Sequence, residues 1–520
     1  MLIFFPLAIL FAAVLLITFL PKIRPSFSSE WLFSVGAMIL SAISLALLRS
    51  RLPLVQSISA WENIPPLEIS PTLIVDQTSW SFALTVLVLG VSCFLTPVMQ
   101  SPSVRNEIIL ALWLIFITLF SILSGNPLTI ALFWMLFDLL AFIFHILLAP
   151  EDQTKYHAKV LATNLASTFL LVIGVVISGE NNPGDIEMFS FAFPSILIAY
   201  AAIFLRLGSG LHRRPGETPS QRQTYLDRLH PFLFSSTALI LAVRISNFGL
   251  AVNNGWVFAI LSLSAAILLV IKTLRQENQS LHSPFWFMLG AVMITLSTGQ
   301  DHQSSPLVWG IAILFIGWFS ILANPKKRIS IIVSILMIAV FFLVNPNMLD
   351  FSSPQLGLLT SALPIGAIII HALLVFTFQK KAASAPDHVS SIAGQSDSAY
   401  SVGITILPAT FFGLLWLSNI AFPSSPGELT IWSPVYVFAA ALAIYINDRI
   451  GIRFPAIIGS LFDRIISPQW ILRLSSRMIR ALEVITNTIT SLLEGEGGVL
   501  WALLLVALLV SLITQFPVGN

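Results

Sequence analysis

Long uninterrupted apolar runs constrain this chain more than any other feature. A bilayer core of about 30 Å takes about 20 apolar residues in helical form. Sixteen such runs are legible, at 2–20, 31–48, 80–99, 107–123, 127–148, 159–177, 190–211, 230–250, 255–272, 284–299, 306–323, 329–345, 356–378, 402–422, 431–447 and 499–516. They are continuous and not alternating, which excludes a membrane β-barrel. The expected fold class is therefore an all-α polytopic membrane protein of about 16 transmembrane helices. Composition agrees, with 56% hydrophobic and only 10% charged residues in 520. The mean hydropathy of +0.90 is far above that of a water-soluble domain.

Charge distribution orients these spans. Of the 26 Lys and Arg residues, 22 fall in loops that follow odd-numbered spans, and only Arg49 and Arg51 follow an even-numbered one. By the positive-inside rule, odd loops are cytoplasmic, both termini lie outside, and the chain belongs in a cell (inner or cytoplasmic) membrane. One missed or invented span would invert every later loop, so the regularity also supports the count. Arg206 and Arg244 are the exceptions, since both fall inside spans. The N-terminal MLIFFPLAILFAAVLLITFL has no basic n-region and no small-residue cleavage site, and reads as a retained first span. The lone cysteine, Cys93, admits no intrachain disulfide.

The runs divide the chain into a bundle over 1–447, a cytoplasmic segment over 448–498 and a final span over 499–520. Within the cytoplasmic segment, Ser467-Pro468 reads as an N-cap and first-turn pair. Apolar residues then recur at Ile471, Leu474, Met478, Leu482, Ile485, Ile489 and Leu492, with Arg473, Arg477 and Arg480 off the stripe. This predicts an amphipathic helix over about 468–493, lying along the membrane surface for about 39 Å.

A charged side chain at mid-bilayer costs about 2.5–3.5 kcal/mol on insertion scales, so it tends to face protein or a watery cavity and to have a partner. The residues in question are Asp138 and His145 in span five, Arg206 in span seven, Arg244 in span eight and His371 in span thirteen. Asp138, Phe142 and His145 share one helical face by their i, i+4, i+7 spacing. A carboxylate and an imidazole so aligned can exchange protons through water. Arginine stays protonated and can set a field but not relay. A static structural pair between Asp138 and Arg206 is the competing reading. No phosphate loop, metal-ligand cluster, nucleophile elbow or dinucleotide fingerprint is present in the sequence, so no catalytic site and no cofactor is expected of this chain itself. Nucleic acid is not an expected partner.

Several of these elements resemble one family. Ile74-Val75-Asp76-Gln77-Thr78-Ser79-Trp80 resembles the VDGLS-type opening of the third span in the antiporter-like membrane subunits of respiratory complex I (NADH-quinone oxidoreductase), membrane-bound hydrogenases and multi-subunit sodium/proton antiporters. Leu132-Phe133-Trp134 is similar to its LFWE element, and Arg206-Leu207-Gly208 with His212 to its K-L-G…H segment. His230-Pro231 with Ser235, Ser236, Arg244 and Gly249 resembles its next span, and Lys272-Thr273-Leu274-Arg275 with Ser283 its link to the tenth. The resemblance covers nearly the whole chain, and implies sixteen spans, outside termini and a lateral helix before the last span.

It also implies a hydrated ion path built from a glutamate in span five, lysines in spans seven and eight, and a later ionisable residue. Met135 stands at the glutamate position here, with Asp138 one turn further along the same face, about 4.5 Å away by helical rise. Arg206 and Arg244 match the two lysines, and His371 after Pro364 matches the late group. Gly208-Ser209-Gly210 replaces the family's proline as a helix break. The implied function is proton or sodium translocation within a complex I-like, redox-coupled or antiport assembly, with the bilayer and other membrane subunits as partners. A scaffolding paralogue without its own ion path, or an independent secondary transporter, are the alternatives.

Overall fold

The computed structural model describes residues 2–23, 30–57, 71–95, 104–148, 154–181, 193–209, 225–248, 287–288, 290–291, 294, 305–322 and 397–417. These form helices α1 (Phe4–Ile23), α2 (Glu30–Leu47), α3 (Gln77–Leu95), α4 (Val104–Leu123), α5 (Pro127–Leu148), α6 (Thr154–Asn181), α7 (Phe193–Ser209), α8 (Tyr225–Phe248), α9 (Ser305–Leu322) and α10 (Asp397–Leu417). They coincide with the first eight expected spans and with the eleventh and fourteenth. Six helical segments among the described residues are long and apolar enough to cross a membrane. The chain is thus a mostly helical, multi-pass membrane protein. The spans expected at 255–272, 329–345, 356–378, 431–447 and 499–516, the surface helix at 468–493, and the residues His371, Pro364 and Gly210 lie outside the described residues.

Side-chain pattern explains where each helix sits. Helix α3 is buried on all sides from Thr78 to Phe94. A helix apolar all round belongs at the centre of a bundle, and α3 packs against α2, α4, α8, α9 and α10. Helix α5 is two-faced. Ile130, Ala131, Trp134, Phe137, Asp138 and Ala141 are buried, while Met135, Leu136, Leu139, Ile143 and Ile146 are exposed. Helix α1 likewise buries Leu7, Leu10, Val14 and Ile17 and exposes Phe4, Phe11, Leu15 and Phe19. Lipid is as apolar as these residues, so close approach and hydrogen bonds between helices must supply the association. Small hydroxyls do so here. Ser41 Oγ donates to the Pro6 carbonyl (2.9 Å), Ser167 Oγ to Ala202 (2.8 Å) and Ser92 Oγ to Gly403 (2.6 Å).

The segment between α2 and α3, expected as loop, contains two antiparallel strands, β1 (Leu54–Ser57) and β2 (Thr72–Val75), with Leu54 opposite Val75 and Ser57 opposite Thr72. Alternation in Thr72-Leu73-Ile74-Val75 is the signal for it, with Leu73 and Val75 fully buried. Thr72 ties β2 to the α4–α5 turn: its carbonyl accepts from Gly125 N (2.7 Å) and its Oγ1 from Asn126 Nδ2 (3.0 Å). Asn126 in turn caps α5, its Oδ1 accepting from Thr129 N at 2.8 Å with Pro127 at the first helical position.

Candidate functional site

Three helices bring one charge pair together. Asp138 lies 11 residues past Pro127 in α5, Asn164 10 past Thr154 in α6, and Arg206 13 past Phe193 in α7. Asp138 thus sits at the middle of α5, Asn164 in the first half of α6, and Arg206 in the last turn of α7. Arg206 Nη1 donates to Asp138 Oδ2 at 2.9 Å and Nη2 to Oδ1 at 3.1 Å, a two-point contact that matches the planar guanidinium to the carboxylate. Asn164 Nδ2 donates to the same Oδ1 at 3.3 Å. Both charged side chains have 0% exposure. Burying either ion alone would cost several kcal/mol, so the pair is stable only as a pair.

Aromatic rings complete the enclosure. The guanidinium carbon of Arg206 is 4.3 Å from the Trp134 ring centre and 4.2 Å from that of Phe234 in α8. Contacts of this kind are worth about 2 kcal/mol or more when desolvated. Phe234 stacks in turn on His230 (5.8 Å, 15°), and His230 meets Phe137 at a tilt (5.5 Å, 34°). Around the pair, Arg206 Nε, Trp134 Nε1 and Asn164 Oδ1 are buried without a hydrogen-bond partner. Trp134 and Asp138 come from one face of α5 because they are four residues apart.

Met135 is not on that face. It is 43% exposed while Asp138 is 3% exposed, so the expected shared face of these two residues is corrected. A three-residue step rotates about 60° around the helix, enough to turn Met135 outward. Gly208 lies in the last turn of α7, whose described residues end at Ser209, with Ser209 Oγ bonded to the Arg206 carbonyl at 2.8 Å. His145 lies in α5 two turns beyond Asp138.

Arg244 occupies a different place. It is 19 residues past Tyr225, near the end of α8, and its Nη1 and Nη2 donate to the carbonyls of Ser124 and Ile122, the latter at 3.3 Å. These are the orphan carbonyls at the C-terminal end of α4, where a cation is favoured. Its Nη2 is also 4.0 Å from Asp76 Oδ1. Asp76 is the N-cap of α3, with Ser79 N donating to its Oδ1 (2.7 Å) and its own N–H donating to Ser79 Oγ (2.9 Å), a reciprocal cap. Arg105 likewise donates to backbone carbonyls, those of Ile17 and Thr18 in α1, at 3.2 and 3.0 Å. The partners of Asp138 that sequence reading missed are Asn164 and the aromatic walls. An amide inside an apolar run was the available signal for Asn164. Among the described residues no group of His, Cys, Asp and Glu is arranged to hold a metal.

No protein-family model and no curated protein matches the chain. Solved structures do. The fold is similar to that of a chain in the Mrp complex from Dietzia sp. DQ12-45-1b, with 12% identity and a TM-score of 0.60 over 100% of this chain and 63% of that one. This chain thus spans under two-thirds of that neighbour's length. It is also similar to a chain of the membrane-bound sulfane sulfur reductase, an archaeal respiratory membrane complex, with 15% identity and a TM-score of 0.56 over 98% of this chain and 100% of that one. The family resemblance drawn from spans three, five, seven and eight therefore has its counterpart in the fold, which this chain shares with a chain in each of these two membrane complexes.

Proposed function

We propose that the chain is an antiporter-like, ion-translocating membrane subunit of a multi-subunit energy-converting complex, coupling chemistry in partner subunits to the movement of protons or sodium ions. The observation that carries this reading is the fully enclosed Asp138–Arg206 pair between α5 and α7. Asp138 is the gating carboxylate, because it is the member that can gain and lose a proton. Arg206 is its ion-pair partner. His371 is the candidate exit-side carrier, His145 a further candidate on the path, and Arg244 biases the central path. Sixteen spans, outside termini and the surface helix at 468–493 belong to the same reading.

Two experiments test it. Gentle affinity purification from native membranes, with every co-purifying chain identified, is expected to return other membrane subunits; recovery of the chain alone would move the reading to an independent transporter. In the intact complex, Asp138→Asn is expected to lower ion transport without loss of assembly, and unchanged transport would retire the role of Asp138. The scaffolding alternative takes the same enclosed pair as a static structural contact. It predicts normal transport after Asp138, Arg206 and Arg244 are all neutralised.

A further inference from the structure

We propose that Trp134 and Phe234 are positioning residues that make Arg206 the fixed member of the charge pair, so that opening the pair moves Asp138 and not the guanidinium. This rests on the reading that the pair lies on the ion path. The two rings flank the guanidinium at 4.3 and 4.2 Å and come from different helices, α5 and α8. A planar guanidinium stacks on such rings in a way that a lysine ammonium does not. The walls are themselves braced: Trp134 is fully buried, and Phe234 packs on His230 and Phe137.

The two ions differ in where else they can go. Asp138 Oδ1 already touches a second holder, Asn164 Nδ2 at 3.3 Å on α6, so a short carboxylate swing moves it from α7 towards α6. Among the described residues the guanidinium has no second acceptor. Its Nε has no partner, and among the described residues Asp138 is the one carboxylate paired with it. To leave, it must abandon two rings; to stay, it needs nothing new. Arg206 therefore remains a standing positive charge when Asp138 is neutralised or turned away. The carboxylate carries the change of state, and α5 carries the carboxylate.

The test compares three variants in the whole complex, each by a high-resolution structure and by ion transport in proteoliposomes. In Asp138→Asn the guanidinium is expected to stay between the two rings. In Trp134→Leu it is expected to be displaced, with transport falling about tenfold, and Trp134→Phe is expected to restore most of the rate because it restores a ring face. Should the leucine variant fail to assemble, Phe234→Leu takes its place. Departure of Arg206 from the rings in Asp138→Asn, or wild-type transport in an assembled leucine variant, would overturn the proposal. Normal transport in Asp138→Asn with Arg206 still held would instead overturn the ion-path reading and leave the clamp standing.

Discussion

Asp138 and Arg206 stabilise the protein only together. Removing one partner of a buried pair leaves an uncompensated charge and costs about 3–5 kcal/mol, whereas replacing both with apolar residues of similar volume is often neutral. Asp138→Leu is therefore expected to lower thermal stability in detergent sharply, and the double variant Asp138→Leu, Arg206→Met to recover much of the loss. A double variant as unstable as the sum of its singles would show that the pair is not the unit. Asp138→Asn should cost less than Asp138→Leu, because its amide oxygen still accepts from the guanidinium, although the charge of Arg206 is left uncompensated. This difference is what makes the asparagine variant a clean probe of transport.

Helix ends and helix crossings set the next scale. The Asp76–Ser79 cap opens α3, the central helix, and its loss is expected to cost about 1 kcal/mol in a Ser79→Ala variant, read as a lower melting temperature. Close approach matters as much as caps. A Cβ at Gly310 in α9 would meet Phe82 Cζ at 2.6 Å and Val243 Cγ2 at 3.1 Å, whereas one at Gly413 in α10 meets nothing within 4 Å. Gly310→Ala should thus destabilise by about 1–3 kcal/mol through overpacking. Gly413→Ala should be neutral or stabilising by up to about 1 kcal/mol, from helix propensity. Equal effects at the two sites would contradict the packing of α9 against α3 and α8.

At the scale of the whole molecule, the two-faced helices α1 and α5 and the centrally buried α3 describe a bundle whose rim is apolar and whose polar groups are turned inward. The proposed orientation can be checked with cysteine labelling, because Cys93 is buried and should stay silent. Arg51→Cys, at an exposed position before β1, is expected to react with a membrane-impermeant thiol reagent added from outside. Lys380→Cys is expected to react only after the membrane is opened. The reverse pattern would invert the assignment of the loops.

The apolar runs alone determined the helical membrane class, and a run long enough to span declares itself without knowing its neighbours. They also singled out Asp138, Arg206 and Arg244, since a charge in such a run stands out whatever surrounds it. The family resemblance set Met135 on the face of Asp138, whereas the three-residue step turns it about 60° away and leaves it 43% exposed. What surrounds each charge was decided by the tertiary structure. Arg206 and Arg244 look alike in sequence, each a single arginine in an apolar span. One is enclosed with Asp138, Trp134 and Phe234, while the other caps the end of α4 beside Asp76. Helical periodicity reports which way a side chain points, but its partner sits on another helix 68 residues away for Arg206 and 120 for Arg244, and only the packing of the bundle brings those helices together.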